Sequence, residues 1–196
     1  MSLTLPNQLT FVRLVLIPFF VVAVLYNHDL WALAIFVAAG VTDALDGLVA
    51  RWTGQHSVLG AFLDPMADKL LMTAAFIVLS LPPLASLPQF HLDNRLPVWL
   101  TVLVIGRDVL IVILALLFNL ALGVRRFPPT LPGKLATGIQ MATVSFFLLF
   151  DALDRQSDLM RGTAVSACLV ATVVSGLHYA WQAARELSVP GGDRRP

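Results

Sequence analysis

Apolar positions in this chain come in long blocks, broken by short polar clusters. Six blocks stand out: Leu9 to Tyr26, Leu30 to Trp52, Gly60 to Leu81, Val98 to Leu122, Leu135 to Leu153 and Thr163 to Leu187. About twenty residues of helix, at about 1.5 Å each, match a hydrocarbon thickness of about 30 Å. The breaks read as turns: "YNHD", "TGQHS", "LPPLASLPQFHLDNRLP", "GVRRFPPTLPGK" and "DRQSD". No ten-residue alternation of the kind a membrane barrel needs is present, and a backbone in lipid must satisfy its own hydrogen bonds. The pattern predicts an all-α integral membrane protein with six transmembrane helices. One domain is expected over residues 1–187, followed by "SVPGGDRRP", a short disordered tail over 188–196.

Composition strengthens the membrane reading. Of the 196 residues 58% are hydrophobic and 13% charged, with a mean hydropathy of +0.81, whereas soluble domains carry about 25% charged residues. The single cysteine, Cys168, rules out an internal disulfide and a cysteine-rich metal site, and reads as a small packed hydrophobe. The first block contains Arg13 and no small-x-small cleavage site, so a retained helix is expected and not a signal peptide. No nucleic-acid partner is expected.

The net charge of +1 says less than its distribution. With six spans, one side collects Arg13, Arg51, Arg125, Arg126, Lys134, Arg185, Arg194 and Arg195. The other collects Arg95, Arg155 and Arg161 together with Asp29, Asp93, Asp151, Asp154 and Asp158. The positive-inside bias then puts both termini, and the loops after the second and fourth spans, in the cytoplasm. The expected location is the inner (cytoplasmic) membrane.

Against this apolar background one stretch is out of place: "VTDALDGLVARWTGQHSVLGAFLDPMADKL", residues 41–70. Asp43 and Asp46 share one face of the second helix, and Asp64 and Asp68 share one face of the third. Asp43 lies eight residues before Arg51 and Asp68 eight after Gly60, so each sits about 12 Å inward from the turn. Four carboxylates at one level repel one another and need a cation. Oxygen ligands without His or Cys suit Mg²⁺ or Mn²⁺, and four acids can hold two ions, the arrangement of a phosphoryl-transfer site. Gly47, Ala50 and Gly60 allow a nucleotide or phosphate close to the backbone, and Arg51 supplies a planar guanidinium for a phosphate. The acids alone serve ion transport equally well, and the small residues serve helix packing equally well.

The spacing D-x2-D-G-x2-A-R-x8-G-x3-D-x3-D, from Asp43 to Asp68, resembles the signature of the CDP-alcohol phosphotransferase family at every fixed position. Four further segments, "LPNQLTFVRLVLIPFF", "LDPMADKLL", "GRDVLIV" and "GKLATGIQ", are similar to bacterial phosphatidylglycerophosphate synthases and CDP-diacylglycerol-dependent cardiolipin synthases. The resemblance covers residues 5 to about 145. It implies a six-helix membrane enzyme, commonly homodimeric, that moves a phosphatidyl group from CDP-diacylglycerol to an alcohol and releases CMP. It further implies that Asp43, Asp46, Asp64 and Asp68 ligate two metal ions, with Asp68 also the base for the acceptor hydroxyl. Gly47, Ala50, Arg51 and Gly60 would then hold the CDP moiety, alongside Asp43.

The remaining polar residues bear on the acceptor. Arg107 and Asp108 lie near the middle of the fourth span, where an acceptor-site or dimer-interface role is expected over a structural pair. Lys134, with Arg125 and Arg126, forms a basic cluster suited to a phosphorylated acceptor or to anionic headgroups; for the two arginines plain topology serves as well. Lys69 is expected to neutralise charge beside Asp68. His28, His56, His91 and His178 lack ligand spacing, and "GLHYAW" reads as an aromatic belt. The resemblance of the chain's start and of "LDPMADKLL" to phosphatidylglycerophosphate synthases implies sn-glycerol 3-phosphate as acceptor, an anion for which Arg107 and Lys134 are available. The "GRD" of residues 106–108, with uncharged Ala115 beyond, leans toward phosphatidylglycerol. A divalent-cation transporter is the third alternative, disfavoured by the lack of symmetric broken helices.

Overall fold

A computed structural model of the chain describes residues 5–53, 58–83, 87–88, 90–122 and 130–188, with the side chains of 5–9, 43–53, 58–65, 115, 117–122 and 186–188 outside the description. Six α-helices and no strand occur among the described residues: α1 Leu5–Leu25, α2 Asp29–Thr53, α3 Val58–Ser80, α4 Val98–Leu122, α5 Leu131–Ala152 and α6 Asp158–Ser188. The all-α expectation holds, and α4 has the predicted bounds. Helices α1, α5 and α6 begin four or five residues earlier than the apolar blocks because their first turns are polar or proline-bearing. At α5, Thr130 caps the helix by accepting from the Gly133 N–H at 3.3 Å, and Pro132 occupies the first turn, where its missing N–H is not needed. Lys134 therefore lies within the first turn of α5 and not in a loop, and Ser188 closes α6 instead of opening the tail; residues 189–196 lie outside the description. By length and apolarity α5 and α6 are each able to cross a bilayer.

The helices alternate in direction, which gives the bundle two ends. The turn end holds the α1–α2, α3–α4 and α5–α6 connections. At the motif end α2 and α4 finish and α3 and α5 begin. At the turn end two helices stop in the same way. Asn27 and Asp154 take left-handed backbone with φ of 57° and 52°, and each reversal is closed by a pair of backbone bonds. His28 N donates to Ala23 O at 2.8 Å and Asn27 N to Val24 O at 3.0 Å; Arg155 N donates to Phe150 O and Asp154 N to Asp151 O, both at 3.0 Å. These are Schellman closures with Asn and Asp where Gly is commoner, and their short polar side chains tolerate that backbone.

The long α3–α4 connection is strapped over these two turns. Asp151 Oδ1 accepts from the backbone N–H of Asn94 at 2.8 Å and from its Nδ2 at 3.0 Å; the same Nδ2 also donates to Arg155 O at 3.0 Å. His91 N donates to Asn27 Oδ1 at 3.0 Å, and Leu96 N to Leu79 O at 3.0 Å. Beneath the strap lies the apolar core, with Phe20, Phe36, Phe76, Leu79, Leu100 and Phe147 essentially inaccessible and the Phe20 and Phe36 rings 5.7 Å apart. Cys168 is buried and free, as expected.

Helix α1 is not peripheral. Among the described residues it packs along both α2 and α3, and over a longer stretch than α2 and α3 meet each other. The two acid-bearing helices are thus held by a third, which the hairpin picture drawn from their spacing did not include. Arg13 of α1 is fully buried in this packing.

Candidate active site

Both halves of the acidic motif are helical: Asp43, Asp46, Gly47, Ala50 and Arg51 fall within α2, and Gly60, Asp64 and Asp68 within α3. The side chains of Asp43, Asp46, Ala50, Arg51 and Asp64 lie outside the described residues. Asp68 is described; it is half-buried and has interaction partners. Among the described residues no group of three His, Cys, Asp or Glu stands close enough to hold an ion, and His28, His91 and His178 form no such cluster. The expected donor set, carboxylate oxygens from two helices joined by one turn, has the chemistry of a hard divalent cation site.

What the structure adds is a polar seam leading away from Asp68. The next residue, Lys69, places Nζ 2.6 Å from Asp108 Oδ2 on α4. The other carboxylate oxygen of Asp108 accepts from Arg107 Nη1 at 2.6 Å. Arg107 is 8% exposed and crosses to α6, donating through Nη2 to Ser175 Oγ and lying 5.8 Å from the centre of the Tyr179 ring. Tyr179 in turn approaches the start of α5. A Cβ at Gly133 would stand 3.0 Å from Tyr179 Oη, so glycine there lets the phenol reach the residue preceding Lys134. The seam runs from the neighbour of Asp68 to the neighbour of Lys134 through four helices.

Two cations share one carboxylate in this seam, which explains how a low-dielectric interior accepts Arg107. The guanidinium still has an unused donor: Arg107 Nε is buried without a hydrogen-bond partner among the described residues. Lys134 is exposed, and Arg125 and Arg126 lie outside the description. Sequence reasoning assigned Arg13 only to topology. It is fully buried in a helix packed on both acid-bearing helices. A fully buried guanidinium must have compensating partners, and Arg13 has them. The signal was available as a charge at the fifth residue of an apolar block.

A cavity of about 630 Å³ opens at the turn end beside His91, Asp93, Arg95 and Arg161, far along the bundle from the motif.

Residues 3–183 match the CDP-alcohol phosphatidyltransferase family. The chain belongs to that family. A CDP-alcohol phosphatidyltransferase of this kind is a membrane transferase of phospholipid biosynthesis, and its relatives divide between two activities. "Probable phosphatidylglycerophosphate synthase" of Mycobacterium tuberculosis is 34% identical over 199 residues, covering 97% of this chain and 85% of that protein. A second M. tuberculosis protein, named as a cardiolipin synthase, is 37% identical over 182 residues, 91% of this chain and 78% of its own. The human "Cardiolipin synthase (CMP-forming)" is 33% identical over 158 residues, 72% of this chain and 49% of the human protein.

Proposed function

We propose that this transferase moves the phosphatidyl group of CDP-diacylglycerol to sn-glycerol 3-phosphate, forming phosphatidylglycerophosphate and CMP. The observation that carries the reading is the seam from Lys69 through Asp108 and Arg107 to Tyr179, which ties the motif helix α3 to α4, α6 and the Lys134 turn of α5. On this reading the acceptor lies between Asp68 on one side and Lys134 on the other. Asp68 takes the proton of the acceptor hydroxyl. Lys134 and the spare N–H of Arg107 Nε hold the acceptor's phosphate. Gly47, Ala50, Arg51 and Gly60 receive the cytidine diphosphate, with the acyl chains left in lipid. Asp43, Asp46, Asp64 and Asp68 are the residues that would hold one or two Mg²⁺ or Mn²⁺ ions. Such ions supply charge neutralisation on the diphosphate when bound.

A second reading rests on Asp108. It binds both Lys69 and Arg107, which lowers the positive charge facing an acceptor and suits phosphatidylglycerol, giving cardiolipin. Purified protein given labelled CDP-diacylglycerol with each acceptor in turn separates the two. Phosphatidylglycerophosphate is the expected product, and cardiolipin formed only from phosphatidylglycerol overturns the first reading. Under the first reading Lys134→Ala raises the KM for glycerol 3-phosphate about tenfold, the loss of one charge-assisted hydrogen bond, and leaves the KM for CDP-diacylglycerol unchanged.

The same proposal includes six spans in one domain, a homodimer, and a cytoplasmic motif end at the inner membrane. In a variant lacking Cys168, cysteines at Gln55 and Pro129 are then labelled only from the cytoplasm and one at Ser157 only from the opposite side. The reverse pattern would part the motif from the cytoplasmic nucleotide pool and overturn the orientation.

A further inference from the structure

Two cavities on the α5–α6 face join at Pro132. The first, about 490 Å³, lies at the motif end and is polar at its mouth: Arg185, His178, Trp181 and Gln182 of α6 face Thr130 and Pro132 at the start of α5. The second, about 560 Å³, continues along the same groove between Leu135 and Ile139 of α5 and Ala167, Ala171 and Val174 of α6, and is almost wholly apolar. Each falls within the about 300–1,000 Å³ range of ligand pockets. Val174, His178, Trp181 and Arg185 recur at helical spacing, so one face of α6 changes along its length from apolar to aromatic to cationic.

The mouth is built. Trp181 stacks on His178 with ring centroids 6.0 Å apart, and the Arg185 guanidinium lies over the Trp181 ring at 5.1 Å. Beside them Gln182 Oε1 is buried with no hydrogen-bond partner among the described residues. A guanidinium held on an indole plane suits a phosphate. A buried amide oxygen without a donor suits a hydroxyl. The slot below has room for hydrocarbon and nothing to offer a polar group.

We propose that this groove binds one anionic glycerophospholipid with a hydroxylated headgroup, from the leaflet at the motif end. The phosphate sits by Arg185, a headgroup hydroxyl donates to Gln182 Oε1, and an acyl chain lies in the apolar slot. The site is made by α5 and α6 alone. None of its lining residues belongs to the acidic motif of α2 and α3.

The test is native mass spectrometry of the full-length protein in detergent, without CDP-diacylglycerol or metal, titrated with dioleoyl-phosphatidylglycerol or dioleoyl-phosphatidylcholine. The expected result is one retained phosphatidylglycerol, held at least tenfold more tightly than phosphatidylcholine. Arg185→Gln and Gln182→Leu each remove most of that preference, and Ala167→Trp or Ala171→Trp fills the slot and abolishes retention of both lipids. Thermal unfolding of each variant, matched to the parent, confirms that the fold persists. Equal binding of the two lipids by parent and variants, meaning a bulk lipid annulus, overturns the proposal. So does a slot-filling variant that changes the oligomeric state while leaving lipid retention intact, since a second copy of the chain would then be the occupant.

Discussion

The two ends of the bundle use aspartate in opposite ways. At the turn end Asp151 spends one carboxylate oxygen on the amides of a single residue, Asn94, and among the described residues it forms no ion pair. Toward the motif end Asp108 puts one oxygen on Lys69 and the other on Arg107. The first acid fastens a connection to a helix end. The second sets the charge of a seam that begins beside Asp68. A carboxylate's role is therefore read from its partners: amide donors mark architecture, and competing cations mark a place where charge is being set for something else.

The strongest way to break this comparison is through the motif itself. Asp46→Asn or Asp64→Asn is expected to lower CMP release about a thousandfold, the scale of several kcal/mol of lost transition-state stabilisation, with thermal unfolding near that of the parent. EDTA should have the same effect and added Mg²⁺ or Mn²⁺ should reverse it. Near-normal release from either variant would remove the motif from the chemistry. Asp108→Asn comes next. It leaves two cations sharing a neutral amide and should cost about 1.5–3 kcal/mol, toward the lower bound because the Lys69 side chain is 43% exposed. Its signature is a fall in both melting temperature and kcat, and a drop in stability alone would place Asp108 with Asp151 as architecture. The smallest effect belongs to the turn end. Asn94→Ala removes the side-chain amide that donates to Asp151 and Arg155, keeps the backbone N–H bond to Asp151, and should destabilise by about 1–2 kcal/mol, with kcat/KM per folded molecule unchanged; a changed KM would mean that the two ends are coupled.

Much of this was legible in the chain. Helix number and type followed from the apolar blocks, and α4 came out with its bounds because valine and leucine fill it from end to end. The first turns of α5 and α6 were missed because caps and prolines, not hydrophobicity, decide where a helix begins. The motif's placement on α2 and α3 was legible from spacing. The position of α1 against both was not, because periodicity reports which face of a helix is apolar but not which neighbour covers it. Arg107 and Asp108 read as an ion pair from adjacency. That Lys69, Ser175 and Tyr179 complete the seam needed three dimensions, since those partners come from two other helices, with up to 71 positions separating Asp108 and Tyr179 along the chain.

The strap over the turn end has a mechanical consequence. His91 and Asn94 tie the α3–α4 connection to both Schellman reversals, so at that end six helix termini are fastened to one another. A 25-residue helix such as α2 or α4 is about 37 Å long. Pivoted at a fastened end, a tilt of about 3° swings its other end by about 2 Å. The lever arm thus delivers movement to the motif end, the end at which, under the proposed function, a lipid-linked nucleotide slides in sideways and a spent nucleotide leaves.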